Sequence, residues 1–244
     1  MTPDDIERYA RHLMLKEVGG PGQAALTTAR VAIVGAGGLG GPAGLYLAAA
    51  GIGHITLIDD DCVDLSNLQR QIQFGSDDIG TPKTKAMAAQ MQRINPNVSV
   101  TEHAHRLNDG NADALLSGHD IILDGTDSFE TRFIIAKAAR TLGIPLMSGA
   151  IGRFNGQAAL FLPGDGPCYR CLVPEAPEGA QSCAEVGVIG ALAGIVGSVM
   201  ALETIKFMAG AGQTLAGRLW IYDGLHAESR TVNLPRDPDC PYHD

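Results

Sequence analysis

Two short residue pairs, far apart in the chain, have the spacing of metal ligands. Cys168 and Cys171 form a C-x-x-C motif, and Cys240 and His243 form a C-x-x-H motif with the same spacing. Two such pairs supply the four ligands of a tetrahedral site, and because no coordination position remains open, the zinc would be structural. A redox role is the alternative for the first pair, but it leaves the second pair unexplained. We predict one zinc ion per chain, which clamps the C-terminal tail to the loop of Cys168.

A glycine-rich turn follows an apolar, β-branched stretch near the N-terminus. Residues 31–34 run directly into the letters GAGGLG at 35–40. Glycines let the backbone turn sharply and approach a phosphate, and the next helix offers N–H groups and the positive end of its dipole, so Gly38 is a candidate contact. Asp59, after the following strand, can accept hydrogen bonds from ribose hydroxyls. The pattern favours an adenine nucleotide over a purely structural turn, without distinguishing NAD from ATP.

Two cations and an amide lie close in sequence to this turn. Asn67 and Arg70 occur in the string SNLQRQ, and Lys83 follows Thr-Pro. A triphosphate needs such partners, since arginine offers a planar fork of donors and lysine a compact charge. Each residue read alone is more often a solvated surface side chain.

Asp127 follows the predicted strand 121–123, in the string DGTD. Open α/β sheets bind ligands at the carboxyl ends of their strands, and a carboxylate there can hold magnesium on phosphate oxygens. The alternative is that Asp127 caps the helix that begins near Glu130. The residues alone leave both interpretations open.

Cys183 lies outside both metal-binding pairs, on a Gly/Pro-rich stretch before a predicted helix. A helix N-terminus lowers the pKa of a thiol and so favours the reactive thiolate. The alternative is a passive, buried thiol. Both interpretations stay open for Cys183, whereas Cys62 has no context that suggests chemistry.

Strands and helices alternate in the first half of the chain, which implies a parallel, doubly wound sheet. The predicted strands there are 31–34, 54–58, 98–102, 121–123 and 145–147, and the predicted helices are 42–50, 83–94 and 130–142. Beyond Gly149 the strands 157–162, 218–222 and 229–233 surround a small-residue helix at 189–208, and this half is expected to be antiparallel. The predicted fold is therefore Rossmann-type α/β, with a mainly parallel sheet continued by antiparallel strands and a structural zinc knuckle.

Composition excludes several classes of protein. The chain has 244 residues, of which 45% are hydrophobic and 18% charged, the balance of an ordinary globular protein. A net charge of -9 argues against nucleic acids and anionic membranes as partners. The N-terminus lacks an apolar run behind a basic start, so we expect no signal peptide and a cytoplasmic protein. The uncharged stretch 186–202 is short for a membrane span of about 20 residues and predicts a buried helix.

Five segments taken together strongly resemble the ThiF/MoeB/HesA family, bacterial relatives of ubiquitin-activating enzymes. The resemblance covers nearly the whole chain in the same order, and the string SNLQRQ with the cysteine knuckle is highly specific. The five segments are RYAR at 8–11, GAGGLG at 35–40, LSNLQRQ at 65–71, DGTD at 124–127 and CYRC at 168–171.

The resemblance implies a homodimer in which each active site binds ATP and magnesium and receives the Gly-Gly tail of a sulfur carrier of the ThiS/MoaD type. The carboxylate of this tail would attack the α-phosphate, giving an acyl-adenylate and pyrophosphate. The mixed anhydride would then be open to sulfur transfer from a cysteine desulfurase or another donor, for thiamine or molybdopterin biosynthesis. A carboxylate is already a nucleophile at neutral pH, so no general base is required.

Roles for the nucleotide-site residues also come from the resemblance. Asp59 would hold the ribose, and Asp127 would bind magnesium. The phosphates would be bound by Asn67, Arg70 and Lys83. These assignments agree with the chemistry, because a reaction at phosphorus accumulates negative charge that cations stabilise.

Three further expectations rest on the family alone. Arg11 would reach into the active site of the partner subunit, a role that the sequence does not otherwise suggest. Cys183 stands where some relatives carry a cysteine that joins covalently to the activated carrier. The chain departs from the family at His243, because relatives usually close the zinc site with a second C-x-x-C pair; histidine is nevertheless a competent zinc ligand.

We expect one adenylation domain over residues 1–244. It would comprise a helical arm (1–30), a nucleotide-binding half (31–150) and a carrier-binding and zinc half (151–244). One alternative is an NAD-dependent oxidoreductase, which the cations and the zinc pairs disfavour. The other is a non-catalytic nucleotide-binding scaffold, which is disfavoured because every residue matching the family's phosphate and magnesium positions is present.

Overall fold

One eight-stranded sheet organises residues 1–177 and 187–243, the part of the chain that this computed structural model describes. Its strands are β1 (Arg30–Val34), β2 (His54–Ile58), β3 (Ser99–His103), β4 (Ile121–Asp124), β5 (Leu146–Gly152), β6 (Asn155–Phe161), β7 (Arg218–Asp223) and β8 (Glu228–Asn233). Their order across the sheet is β3-β2-β1-β4-β5-β6-β7-β8. Strands β1 to β5 pair in parallel, and the pairs from β5 to β8 are antiparallel. The predicted Rossmann-type α/β fold, with a mainly parallel sheet continued by antiparallel strands, is therefore confirmed.

Helices cover both faces of the sheet. They are α1 (Pro3–Arg8), α2 (Ala10–Leu13), α3 (Gly19–Thr28), α4 (Gly40–Ala50), α5 (Lys83–Ile94), α6 (Ala112–Leu116), α7 (Phe129–Leu142), α8 (Tyr169–Leu172) and α9 (Gly190–Ala209). Short 3-10 turns occur at Leu65–Asn67 and Ser76–Asp78. One buried apolar core lies between the sheet and α3, α4, α5 and α9, and a second lies under α6 and α7.

The central strand β1 has the sequence of a strand buried on both faces. Val31, Ala32 and Ile33 are all fully buried, because helices pack on either side of a parallel sheet. The chain leaves β1 for β2 on one side of it and later returns to β4 on the other side. This reversal makes the carboxyl end of β1 a topological switch point, where open α/β sheets bind ligands.

The register of the strands brings three predicted motifs to the same edge. Val34 at the end of β1 pairs with Ile58 at the end of β2 and with Asp124 at the end of β4. Because these pairs are level, the glycine turn, Asp59 and the loop leading to Asp127 begin side by side. Residues about 90 positions apart in sequence thus meet at one point.

The glycine turn is so tight that it requires glycine at Gly40. A Cβ at this position would lie 1.9 Å from the carbonyl oxygen of Gly35, which itself has a φ of +89°. We expect Gly40→Ala to lower the free energy of unfolding by at least about 2 kcal/mol, because the backbone must move. Denaturant titration measures this change. At Gly20 on α3 a Cβ meets nothing within 4 Å, so Gly20→Ala is the matched control, and equal effects of the two substitutions would contradict the prediction.

Helix α9 carries the uncharged stretch that the sequence placed in the core. Among residues 1–177 and 187–243 it is the one helix long and apolar enough to cross a membrane. Its side chains Val196 and Met200 are fully buried against the sheet, and Glu203 accepts a hydrogen bond from the Leu215 N–H at 2.6 Å. These contacts are those of a core helix, as predicted.

Candidate active site

A cleft of about 230 Å³ opens at the carboxyl ends of β1, β2 and β4. Most of the residues predicted to bind the nucleotide line this one cleft. They are Gly38, Asp59, Arg70, Lys83 and Asp127. The topology thus collects the glycine turn, an acid at a strand end, two cations and a second acid around one space, which suits a phosphorylated ligand with a bound cation.

Asp59 ties the second strand to the glycine turn. Its Oδ2 accepts the N–H of Ala36 at 2.7 Å, and its Oδ1 accepts the N–H of Asp61 at 2.9 Å. Burial raises the pKa of the Asp59 carboxyl, and the nearby Lys83 opposes that rise. Each carboxylate oxygen has more than one lone pair, so Asp59 can still accept hydrogen bonds from a ligand's hydroxyl groups.

Lys83 is the first residue of α5, and its side chain is only 6% exposed. The Nζ atom lies 2.7 Å from Oδ2 of Asp61, whose own side chain is 67% exposed. The expectation that such a lysine is more often a solvated surface residue is therefore wrong for Lys83. The ammonium group of Lys83 can therefore form an ion pair with an anion in the cleft, either together with Asp61 or in its place.

Arg70 and Asn67 occupy the same turn but differ in their placement. Arg70 lines the cleft and donates from Nη1 to the Ser66 carbonyl at 3.0 Å. Asn67 uses its Oδ1 to accept the N–H of Asp64 at 3.2 Å, which closes the 3-10 turn. Within the described ranges Asn67 does not line the cleft. Its observed effect is to shape the turn that presents Arg70.

Asp127 is exposed on the cleft wall, three residues beyond β4. The helix that follows is capped by Ser128, whose Oγ accepts the N–H of Thr131 at 3.3 Å. The alternative in which Asp127 caps this helix is therefore wrong. The cap also fixes the direction in which the chain passes from Asp127 into α7.

Sequence reasoning missed several polar residues of the cleft, among them Gln71, Arg106 and Arg132. Gln71 stands in the motif LSNLQRQ. Its Oε1 atom is buried and accepts no hydrogen bond from the described residues. Arg132 is only 8% exposed and donates from Nη2 to the Thr126 carbonyl at 2.6 Å. The motif was a signal for Gln71, whereas nothing in the sequence marks Arg106 or the burial of Arg132.

The four predicted metal ligands converge where the C-terminal tail meets helix α8. Sγ of Cys168 lies 3.8 Å from Sγ of Cys171 and 3.6 Å from Sγ of Cys240, and Cys171 Sγ lies 3.2 Å from Nε2 of His243. All four ligand atoms lie within 4.8 Å of one another. Tetrahedral zinc with Zn–S bonds of about 2.3 Å separates its sulfurs by about 3.7 Å, so the donor atoms fit such an ion. A two-cysteine redox motif does not account for this convergence.

Two predicted residues lie away from the cleft or outside the description. Arg11 is exposed on α2, where its Nη1 lies 3.8 Å from Sδ of Met14, and within the described part of its own subunit it does not line the cleft. Cys183 lies outside the described residues. Cys62 is exposed.

Comparison with known proteins identifies relatives over nearly the whole length. The model of the ThiF family matches residues 9–242. The SAMP-activating enzyme E1 of Haloferax volcanii is 46% identical over 238 residues, which are 97% of this chain and 88% of that protein. The sulfur carrier protein adenylyltransferase of Thermus thermophilus is 44% identical over 98% of this chain and 91% of that protein.

A longer relative and a solved structure complete the comparison. The probable adenylyltransferase/sulfurtransferase MoeZ of Mycobacterium tuberculosis is 45% identical over 99% of this chain, which spans 63% of that protein. Among solved structures, E. coli MccB with MccA-N7isoASN superposes with a TM-score of 0.88 over 97% of this chain and 75% of MccB, at 23% identity. At that identity the superposition shows the shared fold.

Proposed function

This chain belongs to the ThiF family, and from that premise we propose that it adenylates the C-terminal Gly-Gly carboxylate of a ubiquitin-like sulfur carrier of the ThiS/MoaD type. The named adenylyltransferases at 44–45% identity support an adenylyltransferase activity. One observation carries the proposal: a single cleft holds a glycine turn, several cations that include Arg70 and Lys83, and an exposed acid at a strand end. This set suits ATP with magnesium better than a dinucleotide.

The reaction follows from the charges around the cleft. A carboxylate oxygen of the carrier attacks the α-phosphorus of ATP, the bond to the bridging oxygen of the β-phosphate breaks, and pyrophosphate leaves. Negative charge grows on the phosphate oxygens during this step, and Arg70 and Lys83 stabilise it. Asp59 would hold the ribose, and Asp127 would hold magnesium. Magnesium, when bound, would neutralise phosphate charge.

Carrier-dependent exchange of pyrophosphate into ATP tests the proposal directly. Purified protein is incubated with ATP, magnesium, labelled pyrophosphate and each candidate carrier in turn, including carriers for thiamine and for molybdopterin synthesis. We expect label to enter ATP with a cognate carrier and not with the same carrier lacking its two terminal glycines. Absence of exchange with every carrier would favour a non-catalytic scaffold.

Ligand-induced stabilisation separates the adenylating enzyme from an NAD-dependent oxidoreductase. We expect magnesium-ATP to raise the midpoint of thermal unfolding by several degrees, because saturation at a hundred times the dissociation constant adds about 2.7 kcal/mol of stability. NAD at the same concentration should leave the midpoint unchanged. Differential scanning fluorimetry measures both shifts, and the reverse ranking of the two ligands would favour the oxidoreductase.

The cysteine and histidine cluster is proposed to hold a structural zinc ion. Cys168, Cys171, Cys240 and His243 would supply three sulfurs and one nitrogen. Burial raises the pKa of the Cys168 thiol to about 12, so a neighbouring cation is needed to keep this sulfur as a thiolate at neutral pH. The ion would join α8 to the C-terminal tail.

The remaining proposals concern assembly and organisation. The protein is proposed to be a cytoplasmic homodimer in which Arg11 completes the active site of the partner subunit, a role compatible with its exposed position on α2. Cys183 is proposed to accept the activated carrier before sulfur from a desulfurase or another donor is transferred. The whole chain would work as one adenylation domain, with 1–30 as a helical arm, 31–150 for the nucleotide and 151–244 for the carrier and zinc.

A further inference from the structure

Gln73 is a buried glutamine that contacts the glycine turn from the protein interior. It is 3% exposed and does not line the cleft. Its Nε2 atom donates to the carbonyl oxygen of Ala36 at 2.8 Å and to that of Gly37 at 3.0 Å. Because Nε2 carries two N–H groups, one carboxamide can hold two successive carbonyls of the turn.

These two hydrogen bonds fix the direction of two backbone N–H groups. In a planar trans peptide the C=O and the N–H point in opposite directions, and no peptide bond of the described chain is cis. The N–H of Gly37 is therefore opposite the carbonyl of Ala36, and the N–H of Gly38 is opposite the carbonyl of Gly37. Both glycines line the cleft, and neither N–H has an acceptor among the described residues. Gln73 thus holds two available donors on the cleft side of the turn.

The oxygen of the same carboxamide has no partner. Oε1 of Gln73 is buried and accepts no hydrogen bond from the described residues. A buried polar atom without a partner lowers stability, and an apolar side chain of the same length would remove that cost. Stability alone therefore does not explain a glutamine at this position.

Gly41, in the first turn of α4, leaves the space that the carboxamide occupies. The three atoms nearest to a Cβ built at Gly41 all belong to the carboxamide of Gln73, at 2.2 to 2.4 Å. An alanine at this position would push the carboxamide away from the turn. The contact between Gln73 and the turn can therefore be broken from either of two residues.

We propose that Gln73 is a positioning residue that orients the glycine turn toward the phosphates of the nucleotide. The inference rests on the proposed function, in which this turn binds ATP. Glycine restricts its own backbone less than any other residue, so the direction of these peptide units depends on the groups that hold them. Without the carboxamide the two peptide units can rotate, and the N–H groups of Gly37 and Gly38 face the phosphates for less of the time.

Gln73→Met tests the proposal, because it removes both polar ends of the carboxamide and keeps the length of the side chain. Calorimetric titration should give a dissociation constant for magnesium-ATP about five- to tenfold above that of the wild type, the loss expected for one hydrogen bond of ordinary strength. Adenosine has no phosphates, so its dissociation constant, measured by ligand-observed NMR, should change less than twofold. The midpoint of thermal unfolding should stay within a few degrees, because removal of the unpartnered Oε1 offsets the lost hydrogen bonds.

Two further variants complete the experiment. Gln23→Met is the matched control, since Gln23 is fully buried, donates from Nε2 to the Ala50 carbonyl at 2.9 Å and does not line the cleft. Its dissociation constant for magnesium-ATP should match the wild-type value. Gly41→Ala displaces the carboxamide by a different route, and it should weaken magnesium-ATP by a similar factor while adenosine binding stays unchanged. Gly41→Ala decides the question if Gln73→Met does not fold.

Three outcomes would overturn the inference, and they are distinguishable. A wild type that binds magnesium-ATP and performs exchange, beside a folded Gln73→Met or Gly41→Ala variant with the same affinity, removes the role of Gln73 and leaves the proposed function intact. Equal weakening of magnesium-ATP and adenosine indicates general damage to the cleft instead of a misdirected turn. A wild type that binds no magnesium-ATP removes both the role of Gln73 and the proposed function.

Discussion

We expect Asp127→Ala to lower the rate of carrier-dependent ATP–pyrophosphate exchange by at least about a hundredfold, the scale on which loss of one electrostatic stabiliser acts in enzymes. Asp127 is an exposed acid three residues beyond β4, and the cleft places it with Arg70, Lys83 and other cations around one space. Without its carboxylate, the proposed magnesium ion would lose its protein ligand. The rate is measured with labelled pyrophosphate at saturating carrier.

The folded protein should survive this substitution. The cap of α7 is Ser128, so removing the neighbouring carboxylate leaves the helix intact, and the thermal midpoint should stay within a few degrees of the wild-type value. Asp77→Ala, an exposed acid that does not line the cleft, is the matched control and should retain full exchange. Near-normal exchange in Asp127→Ala would remove this residue as the magnesium ligand.

We expect His243→Ala to reduce the zinc content from about one ion per chain to a small fraction of that value, because the proposed tetrahedral site would lose one of its four ligands. The loss of zinc should also lower the midpoint of thermal unfolding by several degrees. In small zinc domains the binding of structural zinc contributes about 10–16 kcal/mol to the free energy of folding. Elemental analysis of freshly purified protein and a thermal melt measure the two effects.

Two variants sharpen the zinc experiment. His226→Ala removes an exposed histidine on the turn after β7, whose Nδ1 forms a hydrogen bond with Oδ2 of Asp223 at 2.9 Å. This control variant should keep its zinc. His243→Cys restores a thiolate at the fourth position, as the resemblance to C-x-x-C relatives implies, and should also retain the ion. Unchanged zinc in His243→Ala, or no zinc in the wild type, would contradict the proposed site.

Several features of the fold and the cleft follow from short stretches of sequence. The strand, glycine turn and helix at 31–50 are local, because an apolar β-branched run must end where glycines bend the chain. The two metal-ligand pairs are equally local, since a spacing of three residues brings both side chains of each pair to one side of a turn. Alternation of strands and helices then implied the parallel order of the first half.

Side-chain burial and partnership in the cleft were decided by tertiary structure. Lys83 taken alone suggests a surface lysine, but it is buried beside Asp61. Asn67, whose phosphate role comes from the family resemblance, uses its Oδ1 to close its own turn. Arg132 carried no signal at all, because neither its burial nor its hydrogen bond to the Thr126 carbonyl follows from a local sequence pattern. Such contacts form between segments that the order of strands in the sheet brings together. No local sequence pattern encodes that order.

The sequence by itself therefore determined which chemistry is proposed for the chain, namely phosphate binding at a glycine turn, an acid for a cation, and four ligands for zinc. These follow from residue type and short-range spacing, which the backbone preserves wherever the segment lies. Only the tertiary structure decided that Val34, Ile58 and Asp124 end level with one another, so that the turn, Asp59 and Asp127 share a cleft. The physical reason is that strand register is selected by packing on both faces of the sheet, which involves the whole chain at once.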